Sequence, residues 1–96
     1  MAFEWDHGND TKNYSKHGVS CQEAESAFQD RRRLDFDDPF HSRAERRYIT
    51  LGQSSRPRLL CVAWTLRGTH VRIISVRPAS RKERHLYEEK NHQRTA

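Results

Sequence analysis

Apolar residues along this chain alternate with polar ones in short runs, and turn-forming clusters separate the runs. Phe3-Glu4-Trp5 alternates apolar, charged, apolar, as a short strand does. Asp6 can then cap a helix over roughly residues 7–16. Gly18 suits the left-handed cap that ends it, with Lys16 and His17 near the negative end of the helix dipole. Ser20 followed by Glu23 forms a capping box for a second helix, whose Ala24, Ala27 and Phe28 make a single apolar stripe. Leu34 and Phe36 alternate with Asp35 and Asp37, which predicts a strand near 32–37. The stretch Asp38-Pro39-Phe40-His41-Ser42 is a turn by composition.

Arg47 to Gly52, with Tyr48, Ile49 and Leu51, reads as a strand, and Ser54 to Pro57 as a loop. Leu59 to Leu66 is the most apolar strand and is expected at the centre of a sheet, because both of its faces are apolar. Arg67-Gly68-Thr69 makes a tight hairpin, so Val71 to Arg77 pairs back antiparallel until Pro78 stops it. Ser80 with Glu83 is a second capping box and opens a helix through about residue 91; residues 92–96 lack an apolar anchor and are expected to fray. The pattern predicts one small α+β domain over residues 1–96. It has an antiparallel sheet, two N-terminal helices and a C-terminal helix, all packed on one side. Trp5, Phe28, Leu60, Val62, Trp64, Ile73 and Ile74 are the expected core.

Composition narrows the function classes. Hydrophobic residues are 33% of the chain and charged residues 32%, enough for one modest core. The net charge of +5 conceals an asymmetry: residues 1–30 carry −4, and residues 31–96 carry +9. Arginine far outnumbers lysine among the cations, which favours phosphate or a carboxylate-bearing partner, or reflects codon bias. The longest apolar run, Leu59 to Trp64, is too short to span a bilayer, and the N-terminus has no signal-peptide pattern, so a cytoplasmic location is expected. Cys21 and Cys61 lack metal spacing and read as reduced thiols. His41 and Glu45 lie four apart without a second ligand pair, so neither a metal nor another cofactor is expected.

An ordered set of motifs is more specific. Phe3-x-Trp5-Asp6, Asn13-x-x-Lys16-His17-Gly18-Val19-Ser20 and Glu23-Ala24 are followed by Asp38-x-x-His41-Ser42-x-x-Glu45-Arg46 and Gly52. Arg58-Leu59-Leu60, Thr65-x-Arg67-Gly68, Arg72-Ile73-Ile74-Ser75-x-Arg77 and Glu83-Arg84-x-x-Tyr87 complete it. From Phe3 to about Glu89 this resembles the BrnT family of toxins. Asn9, Cys21 and Val76 depart from the family pattern, where Lys, Phe and Ala are frequent. The resemblance implies a RelE-like fold and RNA cleavage that inhibits translation and growth. It also implies neutralisation by a BrnA-like antitoxin with a ribbon-helix-helix segment. Operator DNA would then be touched only through the antitoxin.

Metal-independent RNA cleavage needs a base for the 2′-hydroxyl, cations for the charged phosphorane and an acid for the leaving oxygen. Arg72, mid-strand beside Ile73 and Ile74, is a candidate clamp for the transition state or a partner for a helix carboxylate. Arg77 is five residues on, so strict alternation puts it on the opposite face, and only a bulge or the strand end would let both reach one phosphate. Lys16 and His17 are candidates at a helix end, where His17 serves acid–base chemistry or only the cap. Glu45, clustered with His41 and Arg46, is a candidate general base or a structural ion-pair partner. Tyr87 could stack on a base, donate a proton or sit in the core. Arg31, Arg32, Arg33, Arg46, Arg67, Arg81, Lys82 and Arg84 are candidate RNA contacts or solvated charge. The antitoxin is expected to cover part of this Arg-rich surface with an acidic segment. Two other readings use the same charge: a non-catalytic basic module that binds RNA or the ribosome, and an inactive toxin kept as an antitoxin-binding corepressor.

Overall fold

Strands form where Val, Ile, Thr, Tyr, Phe and Trp concentrate. The computed structural model describes residues 2–5, 17–41 and 44–95. Its strands are β1 (Ala2–Trp5), β2 (Leu34–Asp37), β3 (Arg47–Gln53), β4 (Leu59–Arg67) and β5 (His70–Pro78). Two α-helices lie among the described residues, α1 (Cys21–Ser26) and α2 (Arg81–Thr95), with 3₁₀ turns at Ala27–Gln29 and Pro39–His41. The helix expected over 7–16 lies outside the described residues, as do Lys16 and Asn9. The helix α2 continues to Thr95, past the expected end near 91.

The sheet order is β1-β5-β4-β3-β2, so β4 is central as its two apolar faces require. The strands β2, β3, β4 and β5 pair antiparallel, but β1 pairs parallel to β5, with Phe3 opposite Val71 and Trp5 opposite Ile73. The sheet is therefore mixed rather than antiparallel throughout. The hairpin rule governs neighbours in sequence, whereas β1 meets its partner across most of the chain and no local pattern names that partner.

A second correction concerns the layers. The helices do not share one side. Val19, Ala24, Ala27 and Phe28 of the α1 region pack on Leu60, Val62, Val71, Ile73 and Val76, with Phe3, Trp5 and Trp64 at the margin. On the opposite face Leu86 and Tyr87 of α2 pack with Leu34, Leu51, Leu59, Cys61 and Ala79. Alternation along β4 explains this: Leu60 and Val62 point one way, and Leu59 and Cys61 the other. A strand with two apolar faces needs a cover on each. Of the expected core, Phe28, Leu60, Val62 and Ile73 are buried, while Trp5, Trp64 and Ile74 are half-buried.

Local chemistry holds the layers. Ser80 and Glu83 close the reciprocal capping box: Glu83 N donates to Ser80 Oγ at 3.2 Å, and Ser80 N donates to Glu83 Oε1 at 2.8 Å. The Ser20 box is only half made. Glu23 N donates to Ser20 Oγ at 3.1 Å, but the Glu23 carboxylate is buried and accepts from Arg58 Nε and Nη2 at 2.6 Å each and from Ser54 Oγ at 2.7 Å. The Arg58 guanidinium, above all, lowers the Glu23 pKa from its ordinary value. Gly52 is where β3 meets the first 3₁₀ turn: a Cβ there would stand 2.4 Å from the Ala27 carbonyl oxygen. Gly68, with φ +60°, occupies the first loop position of the β4–β5 hairpin, where a type II′ turn requires positive φ.

Candidate active site

The helix α2 covers only part of its face of the sheet. Beyond it the pairing sets up rows of side chains. One row runs Arg47, Thr65, Arg72 across β3, β4 and β5, and ends on Glu4 of β1. The next runs Ile49, Ala63, Ser75, and the third Leu51, Cys61, Arg77, at the margin of the α2 core. Five residues separate Arg72 from Arg77, an odd interval that would place them on opposite faces of a regular strand. The register shifts between Ala63 and Trp64: Ala63 pairs Ser75 but Trp64 pairs Ile73, so Ile74 is the extra residue of a bulge. That bulge returns Arg77 to the face of Arg72, and thus of Arg47.

A groove of about 220 Å³ opens here, with Ile49, Cys61, Ala63 and Ile74 as its apolar lining and Asp38, His41, Arg47, Ser75 and Arg77 as its polar lining. A second recess shares His41 and Arg47 with it and adds Phe40, Ala44 and Glu45. The turn carrying His41 is tied to the sheet. Asp38 N donates to the Arg47 carbonyl at 2.9 Å, and His41 N donates to the Asp38 carbonyl at 3.3 Å. The Asp38 Oδ2 atom lies 2.9 Å from His41 Nδ1. That contact orients the imidazole through Nδ1.

Arg77 is gripped by Glu83 at 2.7 and 2.9 Å, and its Nη1 also donates to the Pro78 carbonyl at 3.3 Å. The Arg77 guanidinium holds the Glu83 carboxyl at about 2, and the same bond raises the arginine further. Arg77 is thus rigid and largely charge-compensated. Burial pushes the Cys61 thiol up to about 12, so it is a neutral lining group and not a nucleophile at physiological pH. Glu45 faces Arg67 at 3.9 Å, with 39% of its side chain exposed.

The remaining predicted residues lie elsewhere. Arg72 is half-buried in the Arg47 row. His17 is half-buried beside Gly18, whose carbonyl accepts from Arg58, and it is not among the groove-lining residues. Tyr87 is in the α2 core, the placement among its three expected alternatives that needs no RNA, and its hydroxyl donates to Asp30 Oδ2 at 2.6 Å. Arg31, Arg32 and Arg33 occupy the end of β2 opposite the groove; Arg33 donates to the Phe28 carbonyl at 3.0 Å and pairs with Asp35 at 3.4 Å. Arg46 is exposed, 3.4 Å from Asp37 and 5.9 Å from the Tyr48 ring centre. Arg81 and Lys82 are exposed in the first turn of α2, and Arg84 borders a different recess with Arg58 and Tyr87. Among the described residues these cations are therefore spread over separate regions of the surface.

Sequence reasoning left His41 and Arg47 out of its catalytic set. The signal was present: Asp38 stands three residues before His41, and Arg47 begins a strand just beyond the same turn. Among the described residues no group of three His, Cys, Asp or Glu side chains is placed to hold a metal ion. No helix of the described residues is long and apolar enough to cross a membrane.

Comparison with known proteins bears on this arrangement. The crystal structure of the Brucella abortus ribonuclease toxin BrnT superposes with a TM-score of 0.65 over 84% of this chain and 99% of that one, at 23% sequence identity. That likeness establishes the fold. No curated protein sequence matches. A sequence model of the family described as "Ribonuclease toxin, BrnT, of type II toxin-antitoxin system" matches residues 5–83, most of the chain, from the last residue of β1 through α1 and all the residues that line the groove. The chain belongs to the BrnT family of type II toxin–antitoxin ribonuclease toxins.

Proposed function

We propose that this protein is an endoribonuclease that cuts RNA in the groove beside α2 and is held silent in the cytoplasm by a BrnA-like antitoxin. The observation that carries the reading is the bulge at Ile74, which aligns Arg72 and Arg77 with Arg47 on the face that also presents His41. Arginines set in strands supply preorganised positive charge for a phosphorane without reorganising during reaction. In the step itself, Glu45 takes the 2′-hydroxyl proton as that oxygen attacks phosphorus. The bond from phosphorus to the 5′-oxygen breaks, and His41, oriented by Asp38, gives that oxygen a proton. The products are a 2′,3′-cyclic phosphate and a 5′-hydroxyl. Arg47 and Arg72 stabilise the equatorial oxygens, and no divalent ion enters the step. The antitoxin presents an acidic segment to the Arg-rich side of the chain and carries the operator-binding element.

The test uses purified protein and RNA in excess chelator. Cleavage to 2′,3′-cyclic ends is expected, and Arg72→Ala should lower the rate by about 10²–10³. Activity lost in chelator and restored by a divalent ion overturns the metal-free step. Wild-type rates from Arg72→Ala remove that residue from the site. Stoichiometric RNA binding without product identifies a binding module instead.

A further inference from the structure

We propose that Phe40 is a stacking platform for one unpaired nucleobase next to the cleaved bond, which makes single-stranded RNA the substrate; this rests on the ribonuclease reading above. Phe40 is 87% exposed, the most exposed large apolar side chain among the described residues. Burial gives it no stabilising role in either core. Single exposed apolar residues are ordinary on protein surfaces, so exposure alone says little. Position is what distinguishes Phe40. It lines the recess that shares His41 and Arg47 with the groove, so the ring stands next to the proposed acid and a phosphate-binding cation.

The backbone that carries the ring is anchored. Pro39 fixes one backbone angle of the turn, Asp38 N bonds to the Arg47 carbonyl and so fastens its start to β3, and His41 closes back onto Asp38 through its backbone N–H and its ring. With the backbone anchored, a base that stacks on the ring has only two side-chain torsions to order. Such stacking is open to every base because each has a π-face, and it requires that the base be out of a duplex. A strand whose phosphate lies at Arg47 and whose neighbouring base covers Phe40 uses both walls of the recess.

The experiment measures kcat/KM on an unstructured RNA oligonucleotide for wild type, Phe40→Ala, Phe40→Leu and Phe40→Trp. The same oligonucleotide is then used with one abasic ribose at each position around the cut, and annealed to its complement. Unchanged melting temperatures are expected, since the ring is outside both cores. Phe40→Ala and Phe40→Leu should each lose roughly 5- to 150-fold, and Phe40→Trp should stay near wild type. One abasic position should lower the wild type to the Phe40→Ala level and leave Phe40→Ala unaffected. The annealed substrate should be cut far more slowly.

Wild-type rates from Phe40→Ala, full activity from Phe40→Leu, or independent losses from the abasic site and the mutation overturn the proposal. So does a Phe40→Ala protein that cuts RNA normally but has lost affinity for its antitoxin, which makes the ring a protein contact. Binding of a 2′-deoxy-substituted strand separates the two readings. If wild type binds it in a Phe40-dependent way yet cuts no RNA, the platform stands and the nuclease reading fails. If wild type neither binds nor cuts, both fail.

Discussion

The two faces of the sheet are built from the same strands and end in different states. On the α1 face the aromatic side chains close over the sheet: Phe28 lies 5.3 Å from Phe3 and edge-on to Trp64 at 5.7 Å, and Trp64 stacks on Tyr48 at 4.6 Å. Polar groups there are satisfied internally, as in the chain from Trp64 Nε1 to Thr50 Oγ1 at 2.8 Å and from Thr50 to Asp35 at 2.6 Å. On the α2 face the helix covers Leu51, Leu59 and Cys61, then leaves the rows of Arg47 and Ile49 open. One face is closed by packing, and the other is divided between the core under α2 and the open groove proposed as the site. A small domain has few other ways to hold a rigid polar site, because strands backed by a closed core fix the side chains that point away from it.

If that division is real, the largest effect of any single change on folding should come from the α1 side. Arg58→Ala leaves the buried Glu23 carboxylate without its main partner. Breaking a buried pair costs about 3–5 kcal/mol, and the lower end applies because Arg58 is 35% exposed. The melting temperature should fall by on the order of 10–20 °C, with catalysis by the remaining folded molecules unchanged. Thermal unfolding followed by circular dichroism, beside rates normalised to folded protein, checks both halves.

Arg47→Ala should behave in the opposite way. Its rate on RNA should drop by about 10²–10³, while its melting temperature falls far less than that of Arg58→Ala. A variant that loses stability and rate in parallel would show that the groove is part of the structural core after all.

Glu83 marks the boundary between the two halves of the α2 face, since it caps α2 and grips Arg77. Its carboxyl sits at about 2, against an ordinary 4.5. A depressed value means that the ionised form stabilises the fold at pH above about 4.5, and that this contribution is lost as pH falls toward 2. Glu83→Gln should therefore cost on the order of 1–2 kcal/mol at neutral pH, and the gap to wild type should close through that acid window. Denaturant titrations at several pH values measure it. The smallest effect is expected at the far end of β2. Arg31→Ala and Arg32→Ala, at exposed positions away from the groove, should change stability by less than about 0.5 kcal/mol and leave the cleavage rate near wild type.

Local signals in the chain were read correctly where the physics is local. Ser80 and Glu83 close the predicted box, Gly18 has φ +65°, Gly68 turns the hairpin, and the apolar run from Leu59 becomes the central strand. Each of these rests on neighbours within a few residues. Tyr87 was ambiguous because a helical tyrosine four residues after Glu83 looks the same whether its hydroxyl meets RNA or Asp30, 57 positions away. Glu23 shows the same limit: its spacing from Ser20 announces a box, but Arg58 draws the carboxylate elsewhere.

Sequence alone determined the strands and the two helices found among the described residues, their order, the basic bias of residues 31–96 and the family resemblance, because periodicity, caps and motif order are written in adjacent residues. The tertiary structure decided which face each helix covers, that β1 runs parallel to β5, and that Arg72 and Arg77 share a side. The last depends on one unpaired residue, Ile74, and an inserted residue inverts every alternation after it. Nothing in the run Arg72 to Arg77 announces the insertion, because the bulge is a property of how β5 meets β4 and not of either strand by itself.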